Sequence, residues 1–255
     1  SSYGFGGINY HMVIEEFDGE YKPLARSIFS DTNYDHNADR IVVTAIGTIL
    51  PGVQGADAFW NTMTSGKVTI CEPGAARFNN AAYAKEKDPV FNTPMLRMGI
   101  AKDYTFHGLK YKSPPSAMKV IDRSQFFALD AASQIIEEAK LSPELVKGNK
   151  IALMFGTTSS EKNCEQIIRT RVPFMLDVMA KAPLDDSKKG AIAARFAESI
   201  RSTYSKNTED TIPGLLANIT TGRVANFFNM NGANFIVDAE CASSAVALSL
   251  AVKDL

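Results

Sequence analysis

The hydrophobic pattern along the chain predicts long helices and short buried strands. Apolar residues recur at helical spacing from Gln125 to Ala139, and two further helical patterns cover residues 163–181 and 187–206. The continuous apolar run at 150–160 predicts a central strand that is covered on both faces, since such strands lose the alternation of half-exposed ones. The short β-prone run at 235–237 predicts a second strand. The first of these runs ends in small polar residues, a pattern typical of a central strand that delivers a loop to a site.

The first quarter of the chain predicts smaller elements. Residues 1–16 combine a glycine-rich turn with an alternating, β-branched strand. Residues 40–52 predict a buried strand that ends in a Gly/Pro turn, after which Asp57 is expected to cap a helix that ends at Gly66. Residues 18–39 lose apolar periodicity and gain turn formers and charge, so we interpret them as a linker.

Composition narrows the class of protein. With 45% hydrophobic and 22% charged residues, the chain has the balance of an ordinary globular protein. A net charge of −1 gives no global electrostatic case for binding nucleic acid or an anionic membrane. No apolar run is long enough to span a bilayer and the start does not resemble a signal sequence, while a first residue other than Met hints at a fragment.

The three cysteines bear on compartment and chemistry. Cys71, Cys164 and Cys241 are far apart and lack Cys-x-x-Cys spacing, so we expect neither a disulfide framework nor a zinc site. Reduced thiols in the cytoplasm fit this pattern better. We expect no bound metal.

Cys241 is the candidate for chemistry. It lies where the apolar run at 235–237 meets an Ala/Leu helix that starts near Ala242. Unpaired backbone N–H groups and the positive end of a helix dipole favour thiolate over thiol, which would make Cys241 a nucleophile. The alternative is that Cys241 is a small buried hydrophobic residue, as free cysteines commonly are.

Three sequence blocks carry a resemblance to a known family. Asp238-Ala-Glu-Cys241-Ala-Ser-Ser resembles the Asp-x-x-Cys-x-Ser-Ser signature of the β-ketoacyl synthases. The block at 40–60, with its Pro-Gly and Phe-Trp pairs, is similar to the start of that domain, and the block at 211–235 resembles the run that leads into its nucleophile strand. One departure is Ala233, which stands where the family usually has proline.

The glycine-rich start resembles the other end of the same family. Ser2-Tyr-Gly-Phe-Gly-Gly-Ile-Asn-Tyr-His11 is similar to the segment that closes a ketosynthase domain, where the loop lies beside the nucleophile and its backbone helps build the oxyanion hole. The resemblance therefore implies such a role for Phe5, Gly6 and Gly7 in an upstream domain. The glycine spacing matches neither the dinucleotide-binding nor the P-loop fingerprint.

The order of the blocks implies a domain arrangement. Residues 1–17 would be the C-terminal end of one ketosynthase, 18–39 a linker, and 40–255 the N-terminal half of a second ketosynthase or of a chain-length-factor-like domain. This order resembles the tandem of a polyunsaturated fatty acid or polyketide synthase. The implied fold is the thiolase-like layered α/β fold, with mixed sheets between helices, incomplete in this chain.

The resemblance also implies a reaction. Cys241 would accept an acyl group from an acyl carrier protein, with its backbone as one oxyanion donor, and a malonyl-type extender would lose carbon dioxide and attack the thioester. The enzyme would be an acyltransferase that binds no cofactor itself, because its substrates arrive on the carrier's phosphopantetheine. The expected assembly is a ketosynthase dimer or a ketosynthase/chain-length-factor pair.

Two features leave an alternative open. The family's two histidine blocks do not occur in the sequence, so we expect the 255-residue chain alone to be inactive. Glu240 stands where a small residue is usual, and an unscreened carboxylate there would oppose thiolate formation. A chain-length-factor-like domain, which would pair without condensing, remains the alternative, although such domains usually lack the cysteine.

The three histidines are expected to have structural rather than catalytic roles. His11 lies within the N-terminal strand pattern, and its family counterpart is not catalytic. His36 is interpreted as a solvated loop residue, since no second histidine stands at ligand spacing. His107 is interpreted as a loop or packing residue.

Overall fold

The structure is a computed structural model that describes residues 1–14, 41–75, 78–80, 97–147, 151–158 and 161–255. The chain forms two compact units. Unit 1 comprises Ser1–Thr44, Lys119–Gln125 and Ser142–Leu255, and unit 2 comprises Ala45–Met118 and Phe126–Leu141. The predicted linker at 18–39 lies outside the described residues.

A parallel pair of strands is central to unit 1. Strands β5 (Leu153–Gly156) and β6 (Asn234–Val237) align residue by residue, with Leu153 opposite Asn234 and Gly156 opposite Val237. Both strands predicted from the apolar runs are therefore present, but their residues are partly exposed rather than covered on both faces. Helix α9 (Ser243–Asp254), which follows β6 in the chain, packs against both β5 and β6.

Five further helices lie in the described part of residues 142–228 of unit 1, and the one at Ile219–Phe228 packs against this pair of strands. Helices α5 (Glu161–Ala180) and α6 (Asp186–Thr203) pack against each other as a hairpin, and they confirm the helices predicted at 163–181 and 187–206. The side chain of Asp185 caps α6 by accepting the N–H of Lys188 at 3.0 Å. The helices are α4 (Pro143–Val146), α5 (Glu161–Ala180), α6 (Asp186–Thr203), α7 (Thr211–Leu215) and α8 (Ile219–Phe228).

Unit 2 holds a short hairpin and several helical segments. The hairpin consists of β3 (Ile49–Leu50) and β4 (Val53–Gln54), which pair antiparallel around Pro51 and Gly52. The helical segments are α1 (Ala56–Thr64), a 3-10 turn at Gly108–Tyr111, α2 (Pro115–Met118) and α3 (Arg123–Glu138), whose first residues belong to unit 1. The helix predicted at 125–139 is thus confirmed.

An aromatic and polar cluster links α3 to the segment at 104–111 in unit 2. The ring of Phe106 stacks on Tyr111 and Phe126, with centroid distances of 5.1 and 4.1 Å. The hydroxyls of Tyr104 and Tyr111 both donate to the Asp130 carboxylate. Burial, followed by this hydrogen bond, raises the pKa of both phenols. The cluster therefore keeps its phenols protonated and ties α3 to the segment before it.

Residues 41–48 do not form the buried strand that the run at 40–52 predicts before its Gly/Pro turn. They have no strand partner among the described residues, and Val43 is 65% exposed. Side chains of α3 bind their backbone instead: Thr48 donates its N–H to Gln134 Oε1 at 2.9 Å. An apolar run becomes a strand only where another strand offers a backbone ladder, so the prediction from composition was wrong here.

Two predicted details of the N-terminal elements also differ. Gly55, whose φ is 88°, occupies the N-cap position of α1, and Asp57 lies within the first turn. The predicted strand in residues 1–16 is instead a hairpin of β1 (Ser2–Tyr3) and β2 (Asn9–Tyr10), since residues 11–14 continue without strand pairing. The glycines between the strands turn the chain back on itself.

Candidate active site

Cys241 lies on the short turn that connects β6 with α9. Residues Glu240–Ala242 form a 3-10 turn, and the α-helix begins at Ser243. Cys241 is exposed and its thiol is free. The structure therefore places Cys241 at the joint of strand and helix, but two residues before the helix rather than in its first turn.

The hydrogen bonds of the turn explain this displacement. Ser243 Oγ accepts the N–H of Ala239 at 2.9 Å and donates to the carbonyl of Glu240 at 2.6 Å. The N–H of Ala242 donates to the carbonyl of Ala239 at 3.0 Å. These contacts tighten the residues around Cys241 into a 3-10 turn, so regular helical hydrogen bonding starts only after it.

Glu240 has a left-handed backbone. Its φ is 50°, a conformation that costs a residue with a side chain about 1–2 kcal/mol relative to the right-handed region. Its N–H donates to Asp238 Oδ1 at 3.3 Å, and its carbonyl accepts the hydroxyl of Ser243. Hydrogen bonds at both ends of Glu240 thus offset the strain, and the Glu240 side chain itself is exposed.

Two glycines let other segments approach the turn closely. A Cβ on Gly156, at the end of β5, would lie 2.4 Å from the carbonyl carbon of Ser243. A Cβ on Gly4, in the N-terminal hairpin, would lie 2.7 Å from the carbonyl oxygen of Ala239. Neither position has room for a side chain, so the turn that holds Cys241 is enclosed by backbone on two sides.

The N-terminal hairpin carries the predicted oxyanion-loop residues. Gly6 and Gly7 have φ values of 92° and 88°, which residues with a side chain rarely adopt. Gly7 donates its N–H to the carbonyl of Gly4 at 3.2 Å, and Phe5 is 84% exposed. Through Gly4, the structure brings this hairpin against the residues that precede Cys241.

The two described histidines lie in structural settings. His11 Nδ1 is 2.6 Å from Ser1 Oγ, and its ring meets the ring of Tyr3 edge-on. These contacts hold the ends of the N-terminal hairpin together. His107 directly precedes the 3-10 turn at Gly108–Tyr111 in unit 2. His36 lies outside the described residues.

Sequence reasoning did not assign the buried polar residues that support unit 1. Gln125, which is 1% exposed, donates to the carbonyl of Pro213 at 2.9 Å and accepts Arg223 Nε at 2.8 Å. Burial lowers the pKa of Arg223, while Asp210 opposes that shift. These bonds join the start of α3 to α7 and α8.

Asp122 performs a similar task at two helix starts. Its Oδ1 accepts the N–H of Ser124 at 2.9 Å, and its Oδ2 accepts the backbone N–H of Lys162 at 3.1 Å. One buried carboxylate therefore serves the first turns of α3 and α5. The Asp-x-x-Gln spacing of Asp122 and Gln125 is the sequence signal that could have identified both residues.

Two features are absent from the described part of the chain. No group of three or more His, Cys, Asp or Glu side chains gathers there in a way that could hold a metal ion. None of the helices described combines the length and hydrophobicity that a membrane crossing requires. Cys71 and Cys164 are free thiols like Cys241.

Comparison with known proteins assigns the family. The model of the β-ketoacyl synthase N-terminal domain matches residues 38–255. A polyunsaturated fatty acid synthase polypeptide from Thraustochytrium sp. is 25% identical over 223 residues, which are 85% of this chain and 8% of that protein. Methylphloroacetophenone synthase from Cladonia uncialis is 23% identical over 245 residues, or 94% of this chain and 8% of that one.

Solved structures show the same architecture. An oxazolomycin ketosynthase domain from Streptomyces albus JA3453 has a TM-score of 0.61 at 16% identity, covering 84% of this chain and 32% of that one. A ketosynthase from module 6 of the bacillaene synthase of Bacillus subtilis 168 has a TM-score of 0.57 at 18% identity, covering 84% and 29%. The fold is therefore the thiolase-like layered α/β fold predicted from the sequence, present in part. The chain belongs to the β-ketoacyl synthase family.

Proposed function

We propose that Cys241 is the acyl-accepting nucleophile of a β-ketoacyl synthase. The observation that carries this proposal is the exposed Cys241 thiol on the turn between β6 and α9, in a chain whose residues 38–255 match the family. The chain spans 8% of the length of the polyunsaturated fatty acid and methylphloroacetophenone synthases, so the proposal concerns the complete protein.

The reaction would proceed in two bond exchanges. The Cys241 thiolate attacks the thioester of an acyl carrier protein, so that a new S–C bond forms and the carrier's phosphopantetheine thiolate leaves and takes up a proton. A malonyl-type thioester then loses carbon dioxide, and the resulting carbanion attacks the acyl carbonyl on Cys241. Collapse of this adduct releases the β-ketoacyl carrier thioester and frees the Cys241 thiolate.

We infer that the N–H of Cys241 is a backbone donor to the oxyanion in each step. The hairpin that carries Phe5, Gly6 and Gly7 would supply the corresponding donor in the upstream domain, to which residues 1–17 are assigned. Gly7 would shape the loop, since its N–H already donates within the hairpin. Removing one such donor typically costs a reaction about 3–4 kcal/mol in transition-state stability.

The domain boundaries belong to the same proposal. We propose that residues 1–17 are the end of one ketosynthase domain, 18–39 a linker, and 40–255 the N-terminal half of a second. The family match at 38–255 and the ketosynthase-closing motif at 2–11 support this division. The expected partners are an acyl carrier protein with its acyl or malonyl cargo and a second ketosynthase or chain-length-factor domain, in the cytoplasm.

A chain-length-factor-like role is the second candidate. Glu240 favours it, because a carboxylate stands directly before Cys241. In this role the domain would pair with the upstream ketosynthase and shape its acyl tunnel without condensing. Retention of Cys241 favours the condensing role instead.

Condensation in the complete protein separates the two candidates. The upstream ketosynthase is first inactivated by replacing its own nucleophile, and β-ketoacyl product is then measured from acyl and malonyl carrier thioesters. We expect product from this background, its loss in Cys241→Ala, and its retention in the control Cys164→Ala. Absence of product in the background, together with wild-type activity of the Cys241→Ala single variant, would favour the chain-length-factor role.

A further inference from the structure

The hydroxyl of Ser243 is hydrogen bonded to the backbone of the turn that holds Cys241. Ser243 is 5% exposed and is the first residue of α9. Its oxygen accepts the N–H of Ala239 and donates to the carbonyl of Glu240, at 2.9 and 2.6 Å. One buried hydroxyl therefore bridges both residues that precede Cys241.

The backbone at this point depends on outside support. Glu240 has a left-handed φ of 50°, and such residues persist only where the surrounding structure holds them. Ala239 is buried, so its N–H would lose its partner if the Ser243 hydroxyl were removed. The peptide groups of Ala239 and Glu240 would then be free to rotate towards an unstrained conformation.

Rotation of these peptide groups would also change the orientation of Cys241. The next peptide group after Glu240 contains the N–H of Cys241, which is the proposed oxyanion donor on this turn. The backbones of Gly4 and Gly156 lie close to the turn and limit the directions in which it can move. The hydroxyl of Ser243 holds the peptide groups within the turn. A change in the Glu240 conformation would consequently redirect both the Cys241 N–H and its thiol.

We propose that Ser243 is a positioning residue for the reaction of Cys241. Its hydroxyl holds the turn Ala239–Cys241 in the conformation that aims the thiol and the N–H of Cys241 at the same thioester carbonyl. Ser243 itself touches neither substrate nor reacting atom. The inference rests on the proposed role of Cys241 as the acyl acceptor.

Two reactions of Cys241, acylation and alkylation, distinguish a positioning role of Ser243 from a role in the stability of the fold. Acylation by a carrier thioester needs the thiol and the oxyanion donor in a defined mutual geometry, and small misplacements can cost about 100-fold in rate. Alkylation by iodoacetamide needs an accessible thiolate and no oxyanion donor. Loss of positioning therefore slows acylation much more than alkylation, whereas partial unfolding changes both.

The test uses the complete protein with Ser243→Ala, Ser243→Thr and the control Ser244→Ala, whose side chain is exposed on the next residue of α9. Single-turnover acylation and iodoacetamide alkylation of Cys241 are followed by peptide mass spectrometry. We expect acylation of Ser243→Ala to be at least 10-fold slower with alkylation within about threefold of wild type. Ser243→Thr, which keeps the hydroxyl, restores acylation, and Ser244→Ala leaves both rates unchanged.

Acylation of Ser243→Ala at the wild-type rate overturns the inference, and so does an equal fall in both rates. If Ser243→Ala does not fold, Ser243→Cys decides, because it keeps a side chain of similar shape and weakens both hydrogen bonds. Fragmentation of the peptide locates the acyl group, and slow acylation of Cys241 supports the inference whereas acylation of Cys241 at the wild-type rate overturns it. Failure of the proposed function looks different, since wild-type protein would then show no acyl group on Cys241 at all.

Discussion

Glu240 holds a side chain in a backbone conformation that glycine adopts at lower cost. Its φ is 50°, and its carbonyl and N–H are both hydrogen bonded within the turn. These bonds fix the backbone conformation of Glu240. The strain arises because a residue with a Cβ is held at a positive φ, and it does not depend on the charge of the carboxylate. The effect of the residue on stability can therefore be separated from the effect of its carboxylate.

We predict that Glu240→Gly stabilises the domain relative to Glu240→Ala. Both changes remove the carboxylate, but only glycine removes the Cβ that makes a left-handed φ unfavourable, a difference of about 1 kcal/mol in the free energy of unfolding. Thermal or denaturant unfolding of the two variants measures it. An alanine variant as stable as the glycine variant would show that Glu240 is not strained.

Gly156 controls how closely α9 approaches β5. A Cβ at this position would lie 2.4 Å from the carbonyl carbon of Ser243 and 2.5 Å from the N of Ser244, so Gly156→Ala must push the strand and helix apart. We predict a loss of about 1–3 kcal/mol in stability from this overpacking, measured by denaturant unfolding.

Gly190 provides the matched control for that change. It lies within α6, and a Cβ added there would meet no atom within 4 Å, so an alanine side chain has open space around it. Gly190→Ala should raise stability by about 0.5–1 kcal/mol, because alanine favours helix more than glycine does. Equal effects of the two substitutions would contradict a close contact at Gly156.

The stability of the first turn of α6 should depend on pH, because the carboxylate of Asp185 caps this helix. Hydrogen bonds from Ser187 and Lys188 lower the pKa of Asp185 from 3.8 to about 2. A carboxylate with a lowered folded-state pKa stabilises the folded form above its unfolded pKa and loses that contribution as pH falls towards 2. The cap should therefore be intact at pH 5 and weakened near pH 2.

Hydrogen exchange along α6 measures this effect. We predict that Asp185→Ala speeds exchange of the first-turn amides at pH 5, after correction for the intrinsic rate, and that acidification then adds little more. Asp186→Ala is the control, since the exposed side chain of Asp186 pairs with Lys189 at 3.3 Å. Unchanged protection in Asp185→Ala would show that the cap does not hold the helix start.

At the scale of the whole molecule, the sequence predicted what depends on local pattern. The strands before and beside Cys241, the helices α3, α5 and α6, and the family all follow from apolar spacing and motif. Residues 41–48 were predicted wrongly, because strand formation needs a partner that apolar composition does not reveal.

The finer features of the site depend on contacts between distant residues. The hydroxyl of Ser243 bonds to two peptide groups, and Gly4 contacts Ala239, which is far from it in sequence. Neither contact can be predicted from the spacing of apolar and polar residues. The left-handed φ of Glu240 is equally hidden, since glutamate is not a residue that predicts it. The sequence motif made Cys241 the candidate nucleophile, whereas only the structure shows which hydrogen bonds hold its turn.

Acyl transfer to Cys241 in the complete protein tests the central claim most directly. The protein is mixed with an acyl carrier protein that bears an acyl thioester, quenched at low pH, digested, and examined by mass spectrometry of the peptide around Cys241. We predict one acyl group on Cys241, with none at Cys164 and none on this peptide in Cys241→Ala. A loaded carrier that leaves the Cys241 thiol unmodified would contradict its role as the acyl acceptor.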